Sequence, residues 1–510
     1  THDGGRVSLL FKPTEDLSAT LTYLTQKSEQ DGIPFFQLNT GDYNQVTLQV
    51  GDNVPGLSGS SDGLRDEIDI TNLVVEYDFG AASFLSSTSL LNADSLFKYD
   101  ATPFFGGAPT VNPVEFSREI FSQELRLISQ LDGPIQYVLG AYFEDIETDI
   151  VSPFWVTGDI ALYPFVKPDD PTNLLIHQTN VEQTVEQLSF YGEVSYDITD
   201  ELEFTLGARH YDYERTQREI QAGVFGDTDN PSASDEAGTI MKANLSYRPN
   251  DDSLVYMQWS EGFRLGNTNF VPVANLCDVN DDGLLDGTSA PIETGFDSDT
   301  TENFEIGTKL SFLDSRAQLN ASIYRVDWKD IPLRIFAGKL PEQEAQTCFF
   351  GTVFNAAEAR SQGFEIETSY QVTSGFRVSL GGAYTDVELA EDSDVLGASA
   401  GDRLPSSPEY SLNLGLNYDF DLAGNPAYIR SDYAYISDFY NFIGEEGTKA
   451  GDYGQINVTA GATFDQINVD VFVENLTNDD AITSVGVLFP DTRAWRLRPR
   501  TVGINIGYQF

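Results

Sequence analysis

The sequence contains no uninterrupted apolar run of the roughly 18 residues that a transmembrane helix needs. Hydrophobic residues make up only 40% of the 510 residues, whereas aromatic residues reach 12%, with 34 Phe and 24 Tyr. The missing run excludes a helical membrane protein. It leaves open a protein that crosses a membrane with strands, because a barrel strand needs an apolar side chain only at every second position.

Basic residues are also scarce, with 29 Lys and Arg against 80 Asp and Glu and a formal net charge of −51. Binding to nucleic acid needs the opposite sign of charge, so we predict no nucleic-acid partner. The acidic excess is compatible with a salt-adapted surface, with attraction of cations, or with a solute that is not strongly anionic. Of these we favour the salt-adapted surface, as in a marine or other salt-adapted organism.

Residues and motifs for catalysis are missing as well. The three histidines, His2, His177 and His210, have no spacing that groups them into a metal site. No Gly-x-Ser-x-Gly motif, phosphate-binding loop or dinucleotide-binding fingerprint lies between a predicted strand and a predicted helix. We therefore predict that the protein is not an enzyme and that it requires no cofactor.

The last ten residues, 501–510, alternate between two kinds of side chain. Apolar residues occupy the even positions and small or polar residues occupy the odd ones. Successive side chains of a strand point to opposite faces, so this segment has one apolar and one polar face. A soluble β-sandwich could contain such a strand. In an outer-membrane barrel the apolar face would contact lipid, and the terminal aromatic residue would lie in the interfacial girdle.

Short polar turns alternate with longer connections along the whole chain. The predicted turns lie at residues 12–16, 79–81, 131–134, 197–200, 248–251, 313–315, 372–375, 421–425 and 464–466. The longest connections are predicted at about 29–65, 98–116, 151–180 and 268–298. Short turns on one side and long loops on the other are typical of a barrel with periplasmic turns and extracellular loops.

These patterns predict an all-β fold, a large antiparallel transmembrane β-barrel that occupies residues 1–510 with about 19 strands. A closed bacterial barrel has an even number of strands. The odd count therefore predicts that an odd number of strands precedes this chain. Residues 1–5 are polar and no apolar leader follows them, so we expect a processed product or a fragment.

Six stretches resemble the barrel domain of TonB-dependent outer-membrane receptors. They lie, in the order of the family, at residues 122–129, 256–266, 301–309, 355–365, 473–478 and 498–501. The resemblance implies a barrel of about 22 strands. It also implies an amino-terminal plug inside the barrel and a segment that engages a TonB-type energising protein of the inner membrane. Neither the plug nor that segment is recognisable in this sequence.

The resemblance further implies active import of a scarce solute across the outer membrane of a Gram-negative bacterium. Ferric siderophores are the commonest cargo of the family, so iron uptake is the function that we expect. Vitamin B12, oligosaccharides and other metal chelates remain open. The alternatives are a passive porin-like channel and an adhesion or structural barrel whose loops are braced by calcium.

An acidic motif in the predicted connection 268–298 matches the first part of a calcium-binding loop. Side-chain oxygens at positions 1, 3, 5 and 9 would bind the ion, and Gly283 at position 6 would permit the sharp turn. The predicted ligands are Asp278, Asn280, Asp282 and Asp286. Position 12 is Ser289 instead of the usual Glu, so Glu293 or another acid would have to complete the site. The alternative is an acidic turn on an acidic protein.

The chain has only two cysteines, Cys277 next to the acidic motif and Cys348 in the following predicted loop. Both fall on the same side of the predicted membrane, and an even, sparse count suits an oxidising compartment. We predict a disulfide between them, with two buried free thiols as the alternative.

Two further groups of residues are candidates for binding. The aromatic residues of the predicted loops could stack on a flat ligand, or could pack within the loops or in an outer girdle; they are Phe35, Phe36, Phe104, Phe105 and Trp155. Arg496, Arg498 and Arg500 share the lipid-facing parity of the last strand, unless Pro499 breaks it. Guanidinium groups bind phosphate well, so we predict contact with outer-membrane lipid and with lipopolysaccharide phosphates.

Overall fold

The computed structural model describes residues 1–32, 35–37, 63–101, 110–156, 174–223, 226–269, 277–337, 348, 351–445, 447–486 and 493–509, with only the backbone described at 35–37. These residues contain 26 strands. In chain order the strands are β1 (His2–Phe11), β2 (Leu17–Asp31), β3 (Phe35–Gln37), β4 (Gly63–Asp78), β5 (Ala82–Asp100), β6 (Thr110–Ser129), β7 (Ile135–Val156), β8 (Leu175–Asp197), β9 (Leu202–Gly223), β10 (Thr228–Asn250), β11 (Ser253–Arg264), β12 (Asn267–Thr268), β13 (Gly295–Phe296), β14 (Asp299–Phe312), β15 (Ala317–Phe336), β16 (Gly351–Gln371), β17 (Phe376–Leu389), β18 (Tyr410–Leu422), β19 (Asn425–Ile436), β20 (Phe439–Tyr440), β21 (Lys449–Ala450), β22 (Tyr453–Phe464), β23 (Ile467–Glu474), β24 (Ile482–Val485), β25 (Arg493–Arg496) and β26 (Thr501–Tyr508).

Nineteen strands form one antiparallel sheet, in which each strand lies beside the long strands that precede and follow it along the chain. The seven strands outside it are short: β3, β12, β13, β20, β21, β24 and β25. Within the described residues, β1 and β26 each pair on one side only, so they form the two edges of the sheet. The all-β class and the predicted number of strands are confirmed.

The alternation of side chains divides the sheet into two faces. In β26 the even residues Val502, Ile504 and Ile506 are 60–71% exposed, and Ile504 lies opposite Val471 of β23. The odd positions of β26 hold Thr, Gly and Asn. The face that carries the exposed apolar residues is called the outer face below. No helix of the described residues is long and apolar enough to cross a membrane.

On the inner face, side chains reach across an intervening strand to touch one another. Tyr191 of β8 donates a hydrogen bond to Glu124 of β6 at 2.5 Å, although β7 lies between them. The guanidinium of Arg209 in β9 lies 5.8 Å from the ring centre of Tyr142 in β7.

A small sheet joins the two ends of the large one. Strand β3 follows β2, close to the edge strand β1, whereas β24 and β25 precede the other edge strand, β26. Backbone pairing joins β3 to β25 and β25 to β24. Arg493 of β25 is buried and donates a hydrogen bond to the carbonyl of Asp100 at the end of β5. This three-stranded clasp brings the opposite edges of the large sheet toward each other on the loop side.

All nine predicted turns connect neighbouring strands of the large sheet. On the other side, the strands extend further than the predicted loop bounds allow: β6 begins at Thr110 and β7 ends at Val156. These added lengths contain proline and lack a regular alternation, as in residues 151–156 of β7 (VSPFWV), so the sequence pattern did not indicate a strand there. The apolar alternation stops there, but the backbone pairing continues.

Candidate functional site

A charged and aromatic cluster covers the inner face of β6 to β9. Arg126 forms an ion pair with Glu124 at 2.6 Å, and its Nε donates to the hydroxyl of Tyr191 at 3.1 Å. The ring of Tyr191 lies across Gly140 of β7, where an added Cβ would collide with it. Because residue 140 is glycine, the ring of Tyr191 can lie flat against β7 and reach Glu124. Bulky polar groups therefore line this part of the inner face.

The long connection after β11 folds onto the inner face at both of its ends. Residues 265–269 and 295–299 are called the base of this connection, and they pair with each other through β12 and β13. Arg215 of β9 donates to the carbonyl of Gly266, and the amide of Gly266 donates to the hydroxyl of Tyr213 at 3.2 Å. The side chain of Asn269 exchanges two hydrogen bonds with the backbone of Val353 in β16, at 2.6 and 3.0 Å.

The groups that anchor the base are buried. They lie closer to the loop side of the sheet than the apolar part of the outer face does. The outward residues that flank Tyr213 and Arg215 on β9 are the exposed and polar Asp212, Glu214 and Thr216. Burial, together with the nearby Glu236 carboxylate, raises the pKa of Tyr213 to about 12. Burial also lowers the pKa of the Arg215 guanidinium. Tyr213 is therefore a neutral hydrogen-bonding group at physiological pH.

Arg264 presents its guanidinium on the inner face beside the base. Its Nε and Nη2 donate to the two carboxylate oxygens of Asp299 at 2.9 and 3.0 Å. Trp328 of β15 donates its indole N–H to the same carboxylate, and the guanidinium lies 5.5 Å from the Trp328 ring centre. The Asp299 side chain is only 4% exposed, whereas that of Arg264 is 57% exposed. A buried carboxylate and an indole ring thus fix the orientation of an accessible cation.

The disulfide between Cys277 and Cys348 is present, with the two sulfur atoms 2.08 Å apart. It lies in a small apolar cluster in which Cys277 and Leu285 are fully buried, and Ile292 and Ile335 pack against them. The bridge ties the outer part of the long connection, residues 277–292, to the segment that precedes β16. The predicted pairing is therefore the one that the structure contains.

The acidic motif forms a compact turn beside this bridge. The carboxylate of Asp278 accepts the backbone amides of Asp282 and Gly283 at 2.9 and 3.0 Å, and Gly283 has a φ of +80°. The glycine thus permits the predicted sharp turn. Among the described residues, no three His, Cys, Asp or Glu side chains are grouped so that they could hold a metal ion. Calcium binding by Asp278, Asn280, Asp282 and Asp286 stays a prediction.

The structure describes the five aromatic candidates to different extents. Phe104 and Phe105 lie outside the described residues, and of Phe35 and Phe36 only the backbone in β3 is described. Trp155 is described, but it belongs to strand β7 and not to a loop, and it pairs with Val111 and Leu175. Ligand contact by any of these residues stays a prediction.

The three arginines do not continue the last strand, so the prediction that they share its outward parity is wrong. Strand β26 begins only at Thr501, after Pro499, whose ring nitrogen cannot donate to a strand ladder. Arg496 belongs instead to the clasp and lies 3.3 Å from Asp480. Arg498 lies 3.5 Å from Glu474, and Arg500 donates to the carbonyl of Leu476. Contact with lipid phosphate stays a prediction.

Arg264, Asp299 and the anchors of the base are functional candidates that no pattern in the sequence predicts. Arg264 lies inside one of the stretches that resemble the receptor family, but nothing in that stretch indicates an ion pair with Asp299. A glycine next to a predicted strand end, as at Gly266, was the available signal, because close approach of two backbones favours glycine. Its partners, Tyr213 and Arg215, come from a distant strand.

Comparison with known proteins places the chain among receptors. The family model described as "TonB dependent receptor-like, beta-barrel" matches residues 6–476. The pesticin receptor of Yersinia pestis is 22% identical over 427 residues, which are 83% of this chain and 56% of the receptor. The probable TonB-dependent siderophore receptor PiuA of Acinetobacter baumannii is 22% identical over 245 residues, or 46% of this chain and 30% of PiuA. The chain thus spans about half the length of the pesticin receptor.

Solved structures show the same fold. The ferric yersiniabactin uptake receptor FyuA from Yersinia pestis superposes with a TM-score of 0.79 at 17% identity, over 100% of this chain and 71% of FyuA. The siderophore receptor PiuA from Acinetobacter baumannii gives a TM-score of 0.73 at 17% identity, over 99% of this chain and 74% of PiuA. All of these matched proteins are receptors, and none is an enzyme.

Proposed function

The chain belongs to the TonB-dependent receptor family, and on this premise we propose that it is the barrel of a receptor that imports a scarce solute across the outer membrane of a Gram-negative bacterium. The observation that carries the proposal is the family match, which extends over residues 6–476. The apolar outer face supports a location in lipid, and the polar inner face supports passage of a hydrated solute.

The solute that we propose is a ferric siderophore. The matched relatives include receptors named for siderophores, for ferric yersiniabactin and for ferripyoverdine. The inner face supplies the chemistry that such a chelate needs, namely aromatic rings and guanidinium groups beside one another, as at Tyr142 and Arg209. A plug and a TonB-type energising protein are part of this proposal, since import against a gradient needs a gate and a source of energy.

The outer face of the barrel would contact outer-membrane lipid. The exposed apolar side chains of the outer face, among them Ile323, Phe364 and Ile504, support this placement. A passive porin-like channel or an adhesion barrel gains no support from the relatives, which are receptors and transporters. Nothing in the comparisons supports a salt-adapted origin.

An uptake assay with the complete receptor gene tests the proposal. The gene would be expressed in a Gram-negative strain that lacks its own siderophore receptors, and entry of ⁵⁵Fe would be measured with a panel of ferric siderophores. We expect uptake of at least one chelate, and we expect it to stop when the TonB-type protein is deleted. Uptake that persists without this partner would indicate a passive channel and would contradict the proposal.

A further inference from the structure

We propose that the loop-side part of strand β10, residues 232–238, is a docking edge for an extended, cationic peptide segment of a partner protein, which binds by adding a strand beside β10. Residues 232–238 are called the open edge below. The inference goes beyond the proposed function, because it rests on the backbone and the charges of the sheet and not on the identity of the imported solute.

The open edge exists because β11 separates from β10 partway along the sheet. Strand β9 pairs with β10 from Thr228 to Tyr247, whereas β11 pairs with it only from Lys242 onward. At the point of separation the carboxylate of Glu261 accepts the amide of Met241 at 2.9 Å, in place of a backbone carbonyl. Closer to the loops, no strand of the described residues pairs with the side of β10 that faces away from β9.

Alternate residues of the open edge present their backbone amide and carbonyl groups to this unpaired side. The amide of Met241 points away from β9, the pairing with β9 contains no register shift, and backbone groups alternate in direction along a strand. The amides of Ala233, Asp235 and Ala237 therefore point away from β9 as well. Pro231 has the same parity, and proline is tolerated in a strand where its nitrogen faces no partner. All three edge-facing residues are exposed, so an added strand can reach their backbone groups.

The open edge lies outside the apolar part of the outer face. On β10 the exposed apolar residues of that face are Met241, Leu245 and Tyr247, which all lie nearer the turn side of the sheet. The edge-facing residues share their parity and hence their face, but they are alanine and aspartate. A partner on the loop side can therefore pair with the open edge without entering the lipid.

The charge of the outer face indicates the chemistry of the partner. Asp235 of the open edge lies opposite Glu214 of β9. On the next two strands, Glu186 lies opposite Glu214, and Asp145 lies opposite Glu186. This acidic row crosses four neighbouring strands and ends at the open edge. Like charges directly opposite one another are destabilising, so a positive side chain beside Asp235 reduces the repulsion within the row. An added strand with Lys or Arg on its outward face complements the row.

A second copy of the chain fits the open edge less well. Two open edges in antiparallel pairing would bring two identical acidic rows together, in a chain whose net charge is −51. Proteins commonly prevent the pairing of their own exposed edges with charged residues and proline, and here Asp235 and Pro231 occupy such positions. These residues oppose self-association but leave the edge available to a strand of opposite charge.

The probe for the test is a synthetic heptapeptide that alternates threonine and lysine, with threonine at both ends and a fluorescent label. Residues directly opposite each other in an antiparallel pair have their side chains on the same face, so the three lysines lie opposite Ala233, Asp235 and Ala237. The lysine amides then face β10, whereas the threonine amides face away. Binding to the purified complete receptor in a neutral detergent is measured by fluorescence anisotropy.

Two modified peptides separate strand addition from attraction of charge. N-methylation of the lysine residues removes the amides that face β10, and it should weaken binding at least about ten-fold. N-methylation of three threonine residues keeps the same charge and alters only amides that face away, so it should change binding less than about two-fold.

Three receptor variants locate the site. Ala237→Pro removes an amide that is not paired with β9 and places a ring on the open edge, so it should weaken binding about ten-fold. Asp235→Asn should weaken binding about three-fold, as expected for an exposed ion pair. The control is Asp132→Asn, which removes an exposed charge from the turn between β6 and β7, on the other side of the sheet, and should leave binding unchanged.

Each outcome decides one part of the inference. No binding of the unmodified peptide at about 1 mM would overturn the docking edge itself. Equal binding of the two N-methylated peptides would overturn strand addition, and these peptides decide that point even if Ala237→Pro does not fold. Equal effects of Asp235→Asn and Asp132→Asn would overturn the role of the acidic row. A receptor dimer that Ala237→Pro dissociates would make a second copy the occupant and overturn the cationic partner. Loss of TonB-dependent iron uptake would contradict only the proposed function.

Discussion

Removal of the Cys277–Cys348 bridge should loosen the outer part of the long connection and leave the barrel intact. The variant replaces both cysteines with alanine, so that no free thiol remains. The two cysteines are separated by 71 residues, and closure of a loop of this length corresponds to about 4 kcal/mol in the chain-entropy account. Much of that length is β14 and β15, which the large sheet holds in place with or without the bridge.

The segment that the bridge actually restrains is therefore about half as long. Halving a flexible loop changes the closure term by only about 0.6 kcal/mol, so we expect the bridge to contribute about 3 kcal/mol to the local stability of residues 277–292. A change of this size corresponds to an increase in local amide exchange of about a hundred-fold. The fully buried Leu285 loses its packing against the bridge as well, so the value is a lower bound.

Hydrogen exchange followed by mass spectrometry measures this change directly. Peptides from residues 277–292 should exchange about a hundred-fold faster in the double variant. Peptides from β14 should not change, and they serve as the internal control. If residues 277–292 exchange at the same rate in both proteins, the bridge does not restrain the connection and the argument is wrong. If peptides from β14 also exchange faster, the stability of the large sheet depends on the bridge. The claim that the bridge stabilises only the connection would then be wrong.

Three other predictions follow from the structure and the sequence. Ile504→Arg on the outer face should cost about 2–4 kcal/mol in unfolding from lipid vesicles, whereas Asn505→Arg on the inner face should cost much less; equal costs would contradict the assignment of the faces. Gly140→Val should push the ring of Tyr191 off Glu124 and cost about 1–3 kcal/mol in the same assay, while an unchanged stability would show that the wall can adapt. Terbium luminescence should detect an ion at the acidic motif with a dissociation constant of about 10⁻⁴–10⁻³ M, and Asp278→Asn should abolish it; a signal that survives this change would place the ion elsewhere.

The large sheet could be predicted from the sequence because its determinants are local. Alternation of apolar and polar residues predicts each strand, and polar residues predict each turn. Neighbouring strands then pair in chain order. The strand ends could not be predicted, since the alternation is interrupted there, as by Ser152 and Pro153 of β7. The prediction that the three arginines point outward was wrong for a related reason: the parity of β26 was extended through Pro499 into residues that do not belong to β26.

The site was less predictable because its contacts join distant parts of the chain. Cys277 and Cys348 could be paired, since there were only two cysteines to pair. Gly266 gives no sign in the sequence that it binds Tyr213 and Arg215, and Asn269 gives none that it binds Val353. Such contacts depend on how far the sheet curls, which no short pattern of residues encodes.

The three-stranded clasp has a consequence for the order in which the protein assembles. Its strands β3 and β25 come from opposite ends of the chain, so their pairing has among the largest sequence separations in the molecule. Contacts of such high contact order cost the most chain entropy and form late, unless intervening structure has already shortened the path between them. We expect the hairpins between β4 and β23 to provide that shortening. On this reasoning we expect the bond from Arg493 to Asp100 to form after the pairing of the large sheet.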